Sequence, residues 1–243
     1  MEPHDALRHT SALTFARGGA ARRVAANTEE AFTLALRLGA GGIDTDGHAT
    51  ADGTVVLHDR PHLGGPLRRK PIAKLRADEL PAHVMTLEGL LGLLSPSDQL
   101  LLHLAGDDAF EAVRRTLADH GMADSRHVWL ATTDLERLIE WRPRTRCRLL
   151  LCLGPRKLNR GLETLAAELR SADIDGLGLF HQEWTSGQVA MLNRFGRCTF
   201  GWGAVHEREL ANLFRCGVDA VSSDYADRLA AVADSFGEPG GTG

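Results

Sequence analysis

Asp44 and Asp46 stand two apart in the short apolar stretch Gly42–Asp46. In a strand that spacing turns both carboxylates to one face. Side by side they repel unless a cation or a proton neutralises one of them. Oxygen ligands of this kind suit Mg²⁺ or Ca²⁺. A second arrangement is equally open, with one carboxylate capping a helix and the other facing solvent. Further polar residues close or follow short apolar stretches elsewhere: Arg17, His58, His103, His181, Trp202, His206 and Asp224. They form one site only if the fold brings the ends of its strands to one face.

The pattern along the chain is of that kind. Strand candidates alternate with amphipathic helix candidates: strands at Ala12–Phe15, Gly42–Asp46, Gln99–Leu104, Val128–Ala131, Arg148–Leu153, Gly176–Phe180, Arg197–Trp202 and Ala220–Ser223. Helical spacing follows each, as in Ala31, Phe32, Ala35 and Leu36 after the cap signal Asn27-Thr28-Glu29-Glu30. Leu158–Ser171 and Asp227–Phe236 are two more such helices. The alternation breaks once, over residues 47–85. There an Asp52-Gly53 turn precedes Val55-Val56-Leu57-His58, and a basic loop carries Arg68-Arg69-Lys70. This predicts a small β-hairpin after the second strand. Eight strand–helix units make an α/β chain of the (β/α)₈ barrel class, whose active sites lie at the C-terminal ends of the strands.

Composition limits the function. The chain has 243 residues, 43% hydrophobic and 25% charged, with a formal net charge of −4. That suits one folded domain, assigned to residues 11–236, with a flexible start over 1–10 and a disordered Gly-rich tail over 237–243. Nothing in the charge balance argues for a nucleic-acid surface. No apolar run approaches the ~20 residues of a membrane helix. The polar, acidic start Met-Glu-Pro-His-Asp is unlike a secretory leader, so a cytoplasmic location is expected. Cys147, Cys152, Cys198 and Cys216 lack metal-binding spacing and read as buried small hydrophobes.

Several segments together resemble the glycerophosphodiester phosphodiesterase family. They are Phe15-Ala16-Arg17-Gly18-Gly19, Asn27-Thr28-Glu29-Glu30-Ala31-Phe32, Ile43-Asp44-Thr45-Asp46 and Thr50 through Asp59. Met85-Thr86-Leu87-Glu88 and Gly217 through Tyr225 extend the resemblance to nearly the whole chain. It implies a (β/α)₈ barrel with a hairpin insertion and metal-assisted cleavage of a phosphodiester. The ligand it implies is a small-molecule phosphate ester. Arg17 falls on the phosphate-binding arginine, His58 on the second of two acid–base histidines, and Trp202 on an apolar platform. Asp44, Asp46 and His103 fall on the metal ligands.

The pattern is also damaged. The first histidine falls on Ala16, a glutamate on Ala26, and the lysine after the third metal ligand on Ala105. Asp44 stands for a glutamate one methylene longer, and His103 for a carboxylate. Two aspartates and an imidazole form a softer set, which favours Mn²⁺, Zn²⁺ or Fe²⁺ over Mg²⁺ or Ca²⁺; a barrel without metal is the other expectation. A positioned acid or base contributes about 10²–10⁴-fold in rate. Loss of the histidine at Ala16 therefore argues against the usual two-histidine route. The replacements open to the chain are His9, His48, His62, His181 and His206. Three readings follow: a diverged phosphodiesterase or lyase, an inactive barrel that binds a phosphate ester or a protein, and a new reaction using the loop at 60–85. In each, Arg17 and His58 are expected to meet an anionic group.

Overall fold

The computed structural model describes residues 12–65, 69–158 and 161–237. Arg68, His9 and the expectations for residues 1–10 and 238–243 lie outside these. Eight parallel strands close a ring: β1 (Leu13–Arg17), β2 (Gly42–Ala49), β6 (Gln99–Leu104), β7 (Val128–Thr132), β8 (Arg148–Cys152), β9 (Gly176–Phe180), β10 (Cys198–Trp202) and β11 (Ala220–Ser223). The ring shuts where β1 pairs with both β11 and β2. Outside it, β3 (Val55–Leu57) pairs antiparallel with the far end of β2, and β4 (His62–Leu63) pairs with β5 (Lys70–Pro71). The (β/α)₈ barrel with a hairpin after its second strand is therefore present.

Local chemistry explains the helices that cover the ring. In α1 (Glu29–Arg37) the Thr28 hydroxyl accepts from the Ala31 N–H, and Glu29 and Glu30 complement the positive end. Asp134 caps α4 (Leu135–Trp141) in the same way. The remaining helices are α2 (Leu87–Leu91), α3 (Asp107–Asp119), α5 (Leu162–Ser171), α6 (Ser186–Arg194), α7 (Glu207–Cys216) and α8 (Ala226–Gly237). Helix α7 ends at Gly217, whose φ of 79° is a left-handed cap that glycine adopts without strain.

Strand alternation divides the apolar residues between two cores. One set, with Phe15, Leu101, Trp129, Leu150, Cys198, Phe200 and Ala220, packs together inside the ring. The intervening set, with Ala16, Ile43, Leu100, Leu102, Leu149, Leu177 and Val221, packs outward with the helices. Ala16 thus belongs to the outer core, beside Ala20, Phe32 and Ala35.

Charge is buried away from the strand C-termini. Asp175, just before β9, accepts from Arg126 at 2.7 Å, Arg142 at 3.1 Å and the Leu149 N–H at 2.8 Å. Removing one partner of a buried ion pair costs about 3–5 kcal/mol, because the other charge stays behind. Asp175→Ala should lower the melting temperature by roughly 6–20 °C, since a kcal/mol is worth about 2–4 °C in a chain of this size. Scanning calorimetry would show it, and an unchanged transition would deny this contact its structural role.

Candidate functional site

At the C-terminal end of the ring the inward-facing positions turn polar. Arg17 ends β1, Asp44 and Asp46 lie on β2, His103 is next to last on β6, Trp202 ends β10, and Ser222 lies on β11. Ladder register sets their neighbours, with Arg17 opposite Asp44 and Asp46 opposite His103. The backbone turn after β1 fixes where Arg17 ends. Gly19 has a φ of 77°, and a Cβ there would lie 2.6 Å from the Ala31 backbone. Only glycine lets the turn pack this closely on α1.

These side chains form a single charged cluster. Arg17 donates from Nη1 to Asp44 Oδ1 at 2.8 Å and from Nη2 to Asp46 Oδ2 at 2.5 Å. His103 Nε2 lies 3.1 Å from the same Asp44 Oδ1, and the Ser222 hydroxyl donates to Asp44 Oδ2 at 2.5 Å. Asp44 is buried, so its carboxylate has protein donors where water would otherwise be. Burial opposes its ionisation, but Arg17, with help from His103 and Ser222, holds its carboxyl well below the usual carboxylate range. At Asp46 burial prevails and pushes the carboxyl up, even beside Arg17. Burial also pulls on Arg17, yet the two carboxylates outweigh it and raise the guanidinium above its ordinary value.

The cluster forms part of the wall of a cavity of about 430 Å³, with Arg17, Asp44 and His103 on one side and Phe200, Trp202 and Cys152 among its apolar residues. Its size is that of a small-molecule site. Trp202 stands edge-on to Phe180 at 5.3 Å. The buried indole N–H of Trp202 has no acceptor among the described residues. An unpaired buried donor costs about 1–3 kcal/mol, which a ligand acceptor would recover. Burial pushes the Cys152 thiol up to about 12, so it is not a thiolate nucleophile.

The other sequence candidates lie elsewhere. His58 follows β3 and lines a neighbouring cavity of about 280 Å³ with Ala26, Asn27, Leu63, His83 and Val84. Its Nδ1 accepts from the Arg60 N–H and lies 3.2 Å from Asp59. Part of the 60–85 loop walls this second cavity rather than the Arg17 cavity. His48 is tied through Nε2 to the His58 carbonyl. His181 is buried against Phe180, and burial pulls its imidazole down. His206 sits at the start of α7, and none of His48, His62, His181 and His206 lines the Arg17 cavity. Asp224 does line it, and pairs with Arg22 at 2.8 Å. The sequence pattern gives Ser222 no part in a site and reads Cys152 only as a buried small hydrophobe. The clue to Ser222 was available, since a polar residue alternates inward between Ala220 and Asp224.

The expected metal ligands meet, but not as a ligand shell. Three donors already occupy Asp44, Arg17 bridges Asp44 to Asp46, and His103 faces a carboxylate oxygen. Among the described residues no group of three or more His, Cys, Asp or Glu side chains is arranged to hold a metal. The side chains as placed do not fit a divalent cation.

No family model and no curated protein matches the chain. Solved structures do. A protein from Silicibacter pomeroyi assigned as a glycerophosphoryl diester phosphodiesterase superposes with a TM-score of 0.83 at 21% identity, over 96% of this chain and 97% of its own. The glycerophosphodiester phosphodiesterase of Thermotoga maritima gives 0.79 at 18% identity, over 93% and 100%. A phosphodiesterase of Oleispira antarctica, solved with the product sn-glycerol-3-phosphate, gives 0.79 at 18%, over 92% and 97%. The chain therefore has the fold of these phosphodiesterases over more than nine tenths of its length. Among the described residues no helix is long and apolar enough to cross a membrane.

The shift at Asp44 has a thermodynamic consequence. A carboxyl held low in the native state stabilises the fold above its unfolded pKa of about 4, and that stabilisation drains away as pH falls below it. Asp44→Asn should therefore reduce stability most at neutral pH. The gap to the wild type, followed by urea unfolding, should narrow towards pH 3. A gap that did not change with pH would contradict the ion-pair cluster.

Proposed function

We propose that this chain is a diverged glycerophosphodiester phosphodiesterase that takes a small phosphate ester in the Arg17 cavity. The observation that carries this is the guanidinium on the wall of a cavity at the mouth of this particular barrel. Two of the five Arg17 N–H donors are committed to the aspartates, which leaves three for phosphate oxygens. Phe200 and Trp202 supply an apolar surface for the carbon part of the ligand, and the Trp202 N–H supplies a further donor.

Support for cleavage comes from His103. When its Nε2–H donates to Asp44, the neutral ring keeps a lone pair on Nδ1. A buried aspartate that fixes the tautomer of an imidazole is the arrangement of a general base, and His103 is the histidine lining this cavity. The proton carrier in this reading is His103, in place of the histidine that the resemblance puts at Ala16. A second reading, a barrel that binds without turnover, is favoured by the outward packing of Ala16 and the separate cavity of His58.

Two measurements separate these readings. Calorimetry with sn-glycerol 3-phosphate should show binding that weakens about tenfold or more in Arg17→Ala, the usual scale for a charged hydrogen-bonding group. Binding that ignored Arg17 would refute the site. Hydrolysis of a glycerophosphodiester and of bis(p-nitrophenyl) phosphate should fall about 10²-fold or more in His103→Gln, with ligand binding kept. Binding with no turnover would establish the second reading.

A further inference from the structure

We infer that the cation of this site is the Arg17 guanidinium, that the barrel binds its ligand without a divalent metal, and that Asp44, Asp46 and His103 form a latent metal site which Arg17 closes. The expected metal set and the observed contacts conflict at each residue. Asp44 and Asp46 lie on one face of β2, as a metal would need, but the space between them holds the two Nη groups of Arg17 at 2.8 and 2.5 Å. The ladder puts Arg17 there, since it pairs with Asp44 across β1 and β2. A metal placed between the carboxylates would meet a permanent positive charge. Asp44 offers about four lone-pair positions, and Arg17, His103 and Ser222 occupy three.

His103 completes the conflict. To ligate through Nε2 it must give up both the N–H and the contact with Asp44. The same substitution reduces the charge to be neutralised. The resemblance places a carboxylate at this position, so imidazole leaves the cluster with one fewer negative charge. Two aspartates with Arg17 carry a net charge of −1, where three carboxylates with the same arginine would carry −2. This assignment does not depend on turnover, because it concerns which cation occupies the cluster.

Manganese is the probe, followed by electron paramagnetic resonance and calorimetry on chain freed of metal with a chelator. Wild type should bind no stoichiometric Mn²⁺, and its affinity for sn-glycerol 3-phosphate should be the same with chelator as with Mn²⁺. Arg17→Met should open the site and bind one Mn²⁺ per chain, with affinity on the order of tenfold or more above wild type. The double variant Arg17→Met/Asp44→Asn should lose that gain. Arg17→Lys, which keeps the charge, should stay closed. Stoichiometric Mn²⁺ on wild type that disappears in Asp44→Asn would overturn the inference, as would chelator-sensitive ligand binding. A folded Arg17→Met that gained no Mn²⁺ would show that Arg17 is not what closes the site. If that variant did not fold, the wild-type and Asp44→Asn titrations decide alone. A chain that took neither Mn²⁺ nor the phosphate ester would overturn the proposed function and metal-free binding with it, and the closed site would then stand or fall on whether Arg17→Met gains Mn²⁺.

Discussion

One buried carboxylate ties the mouth of this barrel together. Asp44 lies on β2, and its three hydrogen-bonding partners come from three other strands: Arg17 from β1, His103 from β6 and Ser222 from β11. Those strands are the two beside β2 and the one across the ring closure. An ionised carboxyl out of water must be paired and fully hydrogen-bonded. So the position of each partner follows from the burial of one side chain. Arg17 can hold Asp46 as well because residues two apart on β2 share a face, and its own location rests on the Gly18-Gly19 turn.

The same constraint divides the functional residues into two cavities. Side chains that alternate inward at the strand ends join the Asp44 cluster. Side chains on the hairpin and its loop, His58 above all, line the cavity over Ala26 and Asn27. Asn27 is held there by a left-handed backbone, with a φ of 58°, and by the Thr45 hydroxyl, which donates to its Oδ1. An alanine at position 16 has no polar atom to bring to either cavity, and packing draws its methyl into the outer core.

Much of the fold was legible from periodicity. Gln99–Leu104, Gly176–Phe180 and Ala220–Ser223 run as read, because apolar runs of strand length lie between strong turn and cap signals. Other boundaries moved for local reasons. Apolar spacing suggests a helix from Leu158, but α5 begins only at Leu162, after Gly161. β2 runs on to Ala49, past Asp46, because β3 pairs with its last three residues. That pairing is a tertiary contact, which the alternation of the strand alone does not reveal.

The site was legible in its members more than in its contacts. Sequence brings Arg17, Asp44, Asp46, His103 and Trp202 to the strand ends, and they lie there. It does not say that a guanidinium lies between the aspartates, for that depends on ladder register between strands 27 residues apart. Two adjacent carboxylates demand a positive charge, and a sequence suggests a metal as readily as an arginine. Ladder register places the arginine between them. At 2.5 and 2.8 Å the arginine supplies that charge itself. One arginine between two aspartates leaves one negative charge in the cluster instead of two. The aspartates use two of its N–H donors, so an anion bound as proposed would share one guanidinium with them. Under the proposed function, affinity for an anion would follow from how firmly Asp44 and Asp46 hold Arg17, and of the two it is Asp46 whose carboxyl burial pushes up.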